Sequence, residues 1–203
     1  MLCMDYLKAL LGMTNEYPFF RKNDLPAEPC TEIRLAGTGR RFAVTGDYQE
    51  PARNHCAAVC LANAMICLKT DRTVKQEERD RLFRRAYALL GNGPLFTREF
   101  RKGTGNALFE AGLPGCRLRP CGSPGEVRSC LEKGSPCAVL VMISPLNWHW
   151  VLAVGCREYE DGSFYLRICD GWNARADRWL RWGGPVRIRS VTAIEKKKAA
   201  VSL

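Results

Sequence analysis

The sequence predicts an α+β fold, with helices first and an antiparallel sheet after them, and three observations carry that reading. Up to about residue 134, apolar residues recur at helical spacing. Beyond it come short runs rich in valine, isoleucine and aromatics, separated by turn residues. Helical segments followed by consecutive strands form an α+β layout rather than alternating βα units. Third, 203 residues with 46% hydrophobic and 26% charged side chains are ordinary globular values for one substantial domain.

Residues 1–44 begin with a short amphipathic stretch. Then comes a segment broken by Pro18, Pro26 and Pro29, which reads as loop. From Cys56 to Leu68 the chain is apolar nearly all round, the mark of a buried helix. Leu82, Phe83, Ala86, Tyr87 and Leu90 predict a second helix over about 74–90, stopped by "GNGP". A third is expected over 97–111, ending at Gly112. A short fourth spans about 124–133, with Ser123 as N-cap and Gly134 as its stop. The strands then follow at 137–143, 149–156, 163–169, 178–182 and 185–191, with "EDG" at 160–162 turning the second into the third.

Composition narrows the function classes. The N-terminus "MLCMDYLKALLGM" lacks a cleavage-site pattern, and no apolar run reaches the ~20 residues of a membrane span, so a cytoplasmic protein is expected. Eleven cysteines is an odd number, and several sit in strand-like apolar runs, as reduced core thiols do. No Cys-x-x-Cys occurs and only two histidines are present, so neither a metal nor another cofactor is expected. The net charge of +10 would suit a polyanion, but the arginines of 79–101 fall at helical spacings opposite apolar residues. Nucleic-acid binding therefore stays an alternative.

The candidate chemistry lies in "DYQEPARNHCAAVCLANAM" (47–65), His149 at the start of one strand and Asp170 at the end of the next. A cysteine at a helix N-terminus feels the positive end of the helix dipole, which favours the nucleophilic thiolate. An imidazole beside Cys56 would stabilise that thiolate, and a carboxylate behind the imidazole would fix its tautomer. The Gln49 amide, with the cysteine N–H, would serve an oxyanion. Pairing the strands symmetrically sets His149 opposite Asp170 with Cβ atoms roughly 5 Å apart. A two-residue turn at Asp161-Gly162 instead slides the pairing by four positions. His55 is a rival base. Trp148, Trp150 and Trp172 flank the site as groove walls or as core.

"Q…HCAAVCLANAM", "HWVLAVG" and "ICDGWN" together resemble the papain-like cysteine peptidases, most nearly the double-glycine leader (bacteriocin-processing) peptidases and their stand-alone relatives. The resemblance covers roughly 45–183. It implies the papain-like fold, with N-terminal helices packed on a C-terminal antiparallel sheet. It also implies Cys56 as nucleophile, His149 as general base, Asp170 as its orienter and Gln49 as oxyanion donor, with Trp148 and Trp172 toward the substrate. On this reading 45–192 is the peptidase domain, 1–44 an extension and 193–203 a basic tail. The activity implied is hydrolysis of a peptide or related amide bond in a peptide or protein substrate. Ala57 replaces the family's glycine, Gly171 replaces its proline, and six residues separate Gln49 from Cys56. These departures keep a catalytically inactive peptide-binding homologue open beside the enzyme, as well as a related acyl transferase.

Overall fold

The computed structural model describes residues 19–48, 54–69, 74–91, 95–144 and 147–196. Four helices and eight strands lie in these segments: β1 (Phe20–Arg21), β2 (Cys30–Arg34), α1 (Cys56–Leu68), α2 (Gln76–Leu90), α3 (Thr97–Glu110), β3 (Cys116–Cys121), α4 (Pro124–Glu132), β4 (Cys137–Ser144), β5 (Asn147–Tyr159), β6 (Phe164–Cys169), β7 (Arg178–Arg181) and β8 (Arg187–Lys196). All described strand pairs are antiparallel, and the sheet runs β1-β7-β6-β5-β4-β8-β3. Helices and an antiparallel sheet are combined as expected, but β1 and β2 precede the helices and β3 lies between α3 and α4; the expected elements appear within a few residues of their predicted limits, except that the last strand runs on to Lys196.

Every residue from Ala57 to Ile66 is buried, so α1 is the central helix, lying against β4 and β5 with α2 beside it. Its one interior polar side chain, Asn63, is satisfied by the backbone of Ala43, accepting from its N–H (2.8 Å) and donating to its carbonyl (3.0 Å). In α2 the apolar stripe Leu82, Phe83, Ala86 and Leu90 faces inward. Helix α3 covers the sheet face that carries Trp150. Phe100 stacks on that indole at 4.1 Å, and Arg101 donates to Thr192 Oγ1. Helix α4 is capped as expected, Ser123 Oγ accepting the Glu126 N–H. It packs on the opposite face, where Cys130 meets Glu195. Helices therefore lie on both faces of the sheet, not on one side of it.

The segment before residue 45, read as loop, contributes two strands. β1 pairs with β7, β2 pairs with β5, and Leu35, Phe42 and Ala43 are buried in the main core. β2 was illegible because only Cys30 and Ile33 of its five residues are even partly buried, which leaves no clean alternation. β3 is a strand the sequence does not predict, and Pro120 within it argues against one. Its place at the edge of the sheet, paired only to β8, removes that objection. β8 continues to Lys196 with Ala193 and Ile194 fully buried, so the sheet runs past residue 192.

β5 is the spine. One edge pairs with β6, while the other pairs first with β4 and then, from Gly155 onward, with β2. At the changeover a Cβ on Gly155 would lie 2.5 Å from the Ile33 carbonyl oxygen, so only glycine admits the β2 backbone there. The β5–β6 register (Leu152 with Cys169, Cys156 with Leu166) lies between the two sequence-based alternatives. The Tyr159 N–H donates to the Ser163 carbonyl across a three-residue connection, and the ladder shifts by one between Ala153 and Gly155. His149 is consequently not a cross-strand partner of Asp170. Among the described residues no helix is long and apolar enough to cross a membrane.

Candidate active site

Cys56 is the first residue of α1, and His55 is its N-cap. The thiol is half-buried beside β5, where the backbone N–H of Trp150 faces the sulfur, as do those of Ala57 and Cys56 itself. Trp150 N is bonded directly to the carbonyl carbon of His149, so the sulfur meets β5 at the peptide group that follows His149. The burial of Trp150 holds that stretch in place. Its indole is 1% exposed, stacks on Phe100, and donates to the Leu95 carbonyl at 2.8 Å.

His149 is buried, and its Nε2–H donates to the backbone carbonyl of Asp170 at 2.5 Å. A carbonyl only accepts, so this contact fixes the tautomer: a neutral ring carries its lone pair on Nδ1. Asp170, expected as the orienter, meets the ring through its main-chain carbonyl. The Asp170 carboxylate is turned into its own loop, Oδ1 accepting the N–H groups of Trp172 (2.9 Å) and Asn173 (2.8 Å) and Oδ2 accepting Asn173 Nδ2 (2.7 Å). This is local side-chain-to-backbone bonding, which outcompetes a longer reach to the ring. The same loop lays the Trp172 indole flat on the imidazole, centroids 4.1 Å apart and planes within 4°.

Gly171 explains one departure from the family pattern. Its φ of +80° is a left-handed conformation closed to proline, whose ring holds φ near −65°. Gly171 is packed beside His149 and Val59 of α1. Its carbonyl accepts the Thr45 N–H at 2.7 Å, and the Thr45 carbonyl accepts from His55 Nε2 at 3.0 Å. The 42–45 segment is thereby clamped between Asn63 of α1 and the 171–174 loop, with the Phe42 N–H donating to the Ala174 carbonyl at 2.9 Å. Asn63 was visible in the sequence as a lone amide in an apolar helix; the role of Thr45 had no local signal. His55, the rival base, turns its ring edge-on to Phe83 of α2.

Electrostatically both groups are neutral. Burial pushes the Cys56 thiol up, and the facing N–H groups only partly offset that. Burial also brings His149 down to about 4, against the opposing pull of Asp170. A thiolate–imidazolium pair, expected from the helix dipole, is not the resting form, because desolvating two charges outweighs a half-charge at the helix end. Of the remaining predicted residues, Trp148 is half-buried and stacked on Phe96 at 5.0 Å, whereas Gln49 lies outside the described residues. No group of three or more His, Cys, Asp or Glu among the described residues is placed to hold a metal ion.

No family model matches the chain, and no curated protein matches it. Among solved structures, it is similar to a crystal structure from Bacillus anthracis provisionally described as a C39-like peptidase. The TM-score is 0.54 and the identity 15%, covering 83% of this chain and 100% of that one. The shared property at that identity is the fold: this chain has mixed helices and antiparallel sheet arranged as in a C39-like peptidase.

Proposed function

We propose that the protein is a cysteine-dependent hydrolase of a peptide or related amide bond, with Cys56 as nucleophile and His149 as general base. The carrying observation is the approach of the Cys56 sulfur to the backbone N–H of Trp150, the residue that follows His149, whose ring donates to the Asp170 carbonyl. The fold shared with a protein described as a peptidase supports it. Since both groups rest neutral, the thiol proton passes to His149 Nδ1 as sulfur attacks the substrate carbonyl. The imidazolium then protonates the leaving amine, giving a thioester. Water, deprotonated by the imidazole, attacks that thioester, releases the acid and restores the thiol. Gln49 is assigned to the oxyanion, and Trp172 covers one face of the imidazole throughout.

Alkylation by iodoacetamide with mass mapping tests this. Cys56 is expected to react faster than every other cysteine, and His149→Ala to slow it. Uniform reactivity across the thiols rejects the assignment. Burial of both groups also favours a second reading, a silent homologue that binds peptide in the same cleft. That reading predicts Cys56 labelling indifferent to His149→Ala.

A further inference from the structure

Next to the candidate site lies a surface that the hydrolytic chemistry does not use. Phe96 is 49% exposed, unusual for an aromatic ring, and its exposure is held in place. On one side the Leu95 carbonyl accepts the Trp150 indole N–H; on the other, the Thr97 and Ser190 hydroxyls bond at 2.6 Å. The ring stacks on Trp148, centroids 5.0 Å apart. Two pinned aromatic rings thus form a step about 7 Å, two strand residues, from the backbone N–H that faces the Cys56 sulfur.

Charge continues the step. Met142 pairs with Trp148 on one side and with Arg187 on the other, so the three side chains share one face of the sheet across β5, β4 and β8. Arg187 is exposed and has no ion-pair partner among the described residues. The carboxylate in the first turn of α3 is Glu99, also exposed, and Arg98 stands beside it. A stacked aromatic pair with an exposed guanidinium about 10 Å along the row suits one kind of occupant.

We propose that Phe96, Trp148 and Arg187 form a specificity subsite for a peptide substrate, taking a large apolar or aromatic side chain with an acidic residue next to it. This rests on the hydrolase reading, and its test is independent of turnover. Full-length Cys56→Ala protein is titrated with four fluorescein-labelled hexapeptides that differ only at two central positions: Trp-Glu, Ala-Glu, Trp-Lys and Ala-Lys. Fluorescence anisotropy should rank Trp-Glu tightest, with about a tenfold loss on changing its tryptophan to alanine. Phe96→Ala should erase the tryptophan preference and Phe96→Tyr should keep it, while Arg187→Glu should reverse the choice between Glu and Lys. Equal binding of the four peptides up to millimolar concentration, or preferences that survive both Phe96→Ala and Arg187→Glu, overturn the subsite. A sedimentation shift from dimer to monomer in Phe96→Ala also overturns it, by making the step a self-association surface. Failure of the hydrolase reading shows elsewhere, as Cys56 alkylation in the native chain that ignores His149 while the peptide preferences persist.

Discussion

At the start of α1 the Cys56 sulfur faces backbone N–H groups, among them that of Trp150, the residue after His149. At the corner of β3, α4 and β8 the Cys121 and Cys130 sulfurs lie 3.8 Å from each other, and the Cys130 thiol is 3.7 Å from both Glu195 and Arg119. Burial raises the thiols at both places, taking Cys130 to about 12 and Cys137 well above the ordinary range. A low thiol pKa therefore does not single out Cys56. What separates the two regions is the neighbour available to move a proton. The corner holds a carboxylate already bound by Arg117 at 2.6 Å and Arg119 at 3.5 Å. The α1 site holds a neutral ring with a defined lone pair.

The largest expected effect breaks this comparison directly. Cys56→Ala should lower turnover of a cleavable peptide by about 10⁴-fold or more, whereas Cys130→Ala should leave it within a few-fold. Comparable losses from both, in steady-state assays, would erase the distinction. Next, a folded His149 near 4 against an ordinary 6.5 means that the unfolded chain binds a proton between those values and the folded one does not. Stability should accordingly fall as pH drops from about 6.5 to about 4, by about 3 kcal/mol, with no contribution from this group above that window. Urea melts across the range measure it, and His149→Gln should flatten the profile. Asp170→Ala removes the acceptor of three bonds in the 170–173 loop and should cost about 1–3 kcal/mol in the same assay. It should also slow Cys56 alkylation as the imidazole loses its seat. Smallest is Gly171→Ala. The added Cβ finds 3.7 Å contacts, so the cost is the left-handed backbone alone, about 1 kcal/mol, and Gly171→Pro should cost more.

The four helices and the strands from β4 onward were legible because each repeats its burial period locally. Cys56 opens the helix predicted for it, and His149 lies in its predicted strand. β1, β2 and β3 were not legible. Their few buried residues make sense only beside β7, β5 and β8, and a proline is tolerable only at an edge that the sequence does not mark. The form of the contact between Asp170 and His149 was not legible. Which oxygen of Asp170 meets the imidazole depended on a one-residue ladder shift and on the N–H groups of Trp172 and Asn173.

By itself the sequence determined the run of helices, the strands from β4 onward and the buried α1 with a thiol at its head. Periodicity and residue type act over a few neighbours, and these features need nothing further. Only the tertiary structure decided the register of β5 on β6, the use of a carbonyl in place of a carboxylate, the neutral state of the thiol and ring, and the aromatic step at Phe96. Each of these depends on desolvation or on a contact between segments far apart in the chain, which acquires a value only once packing has removed the water between them.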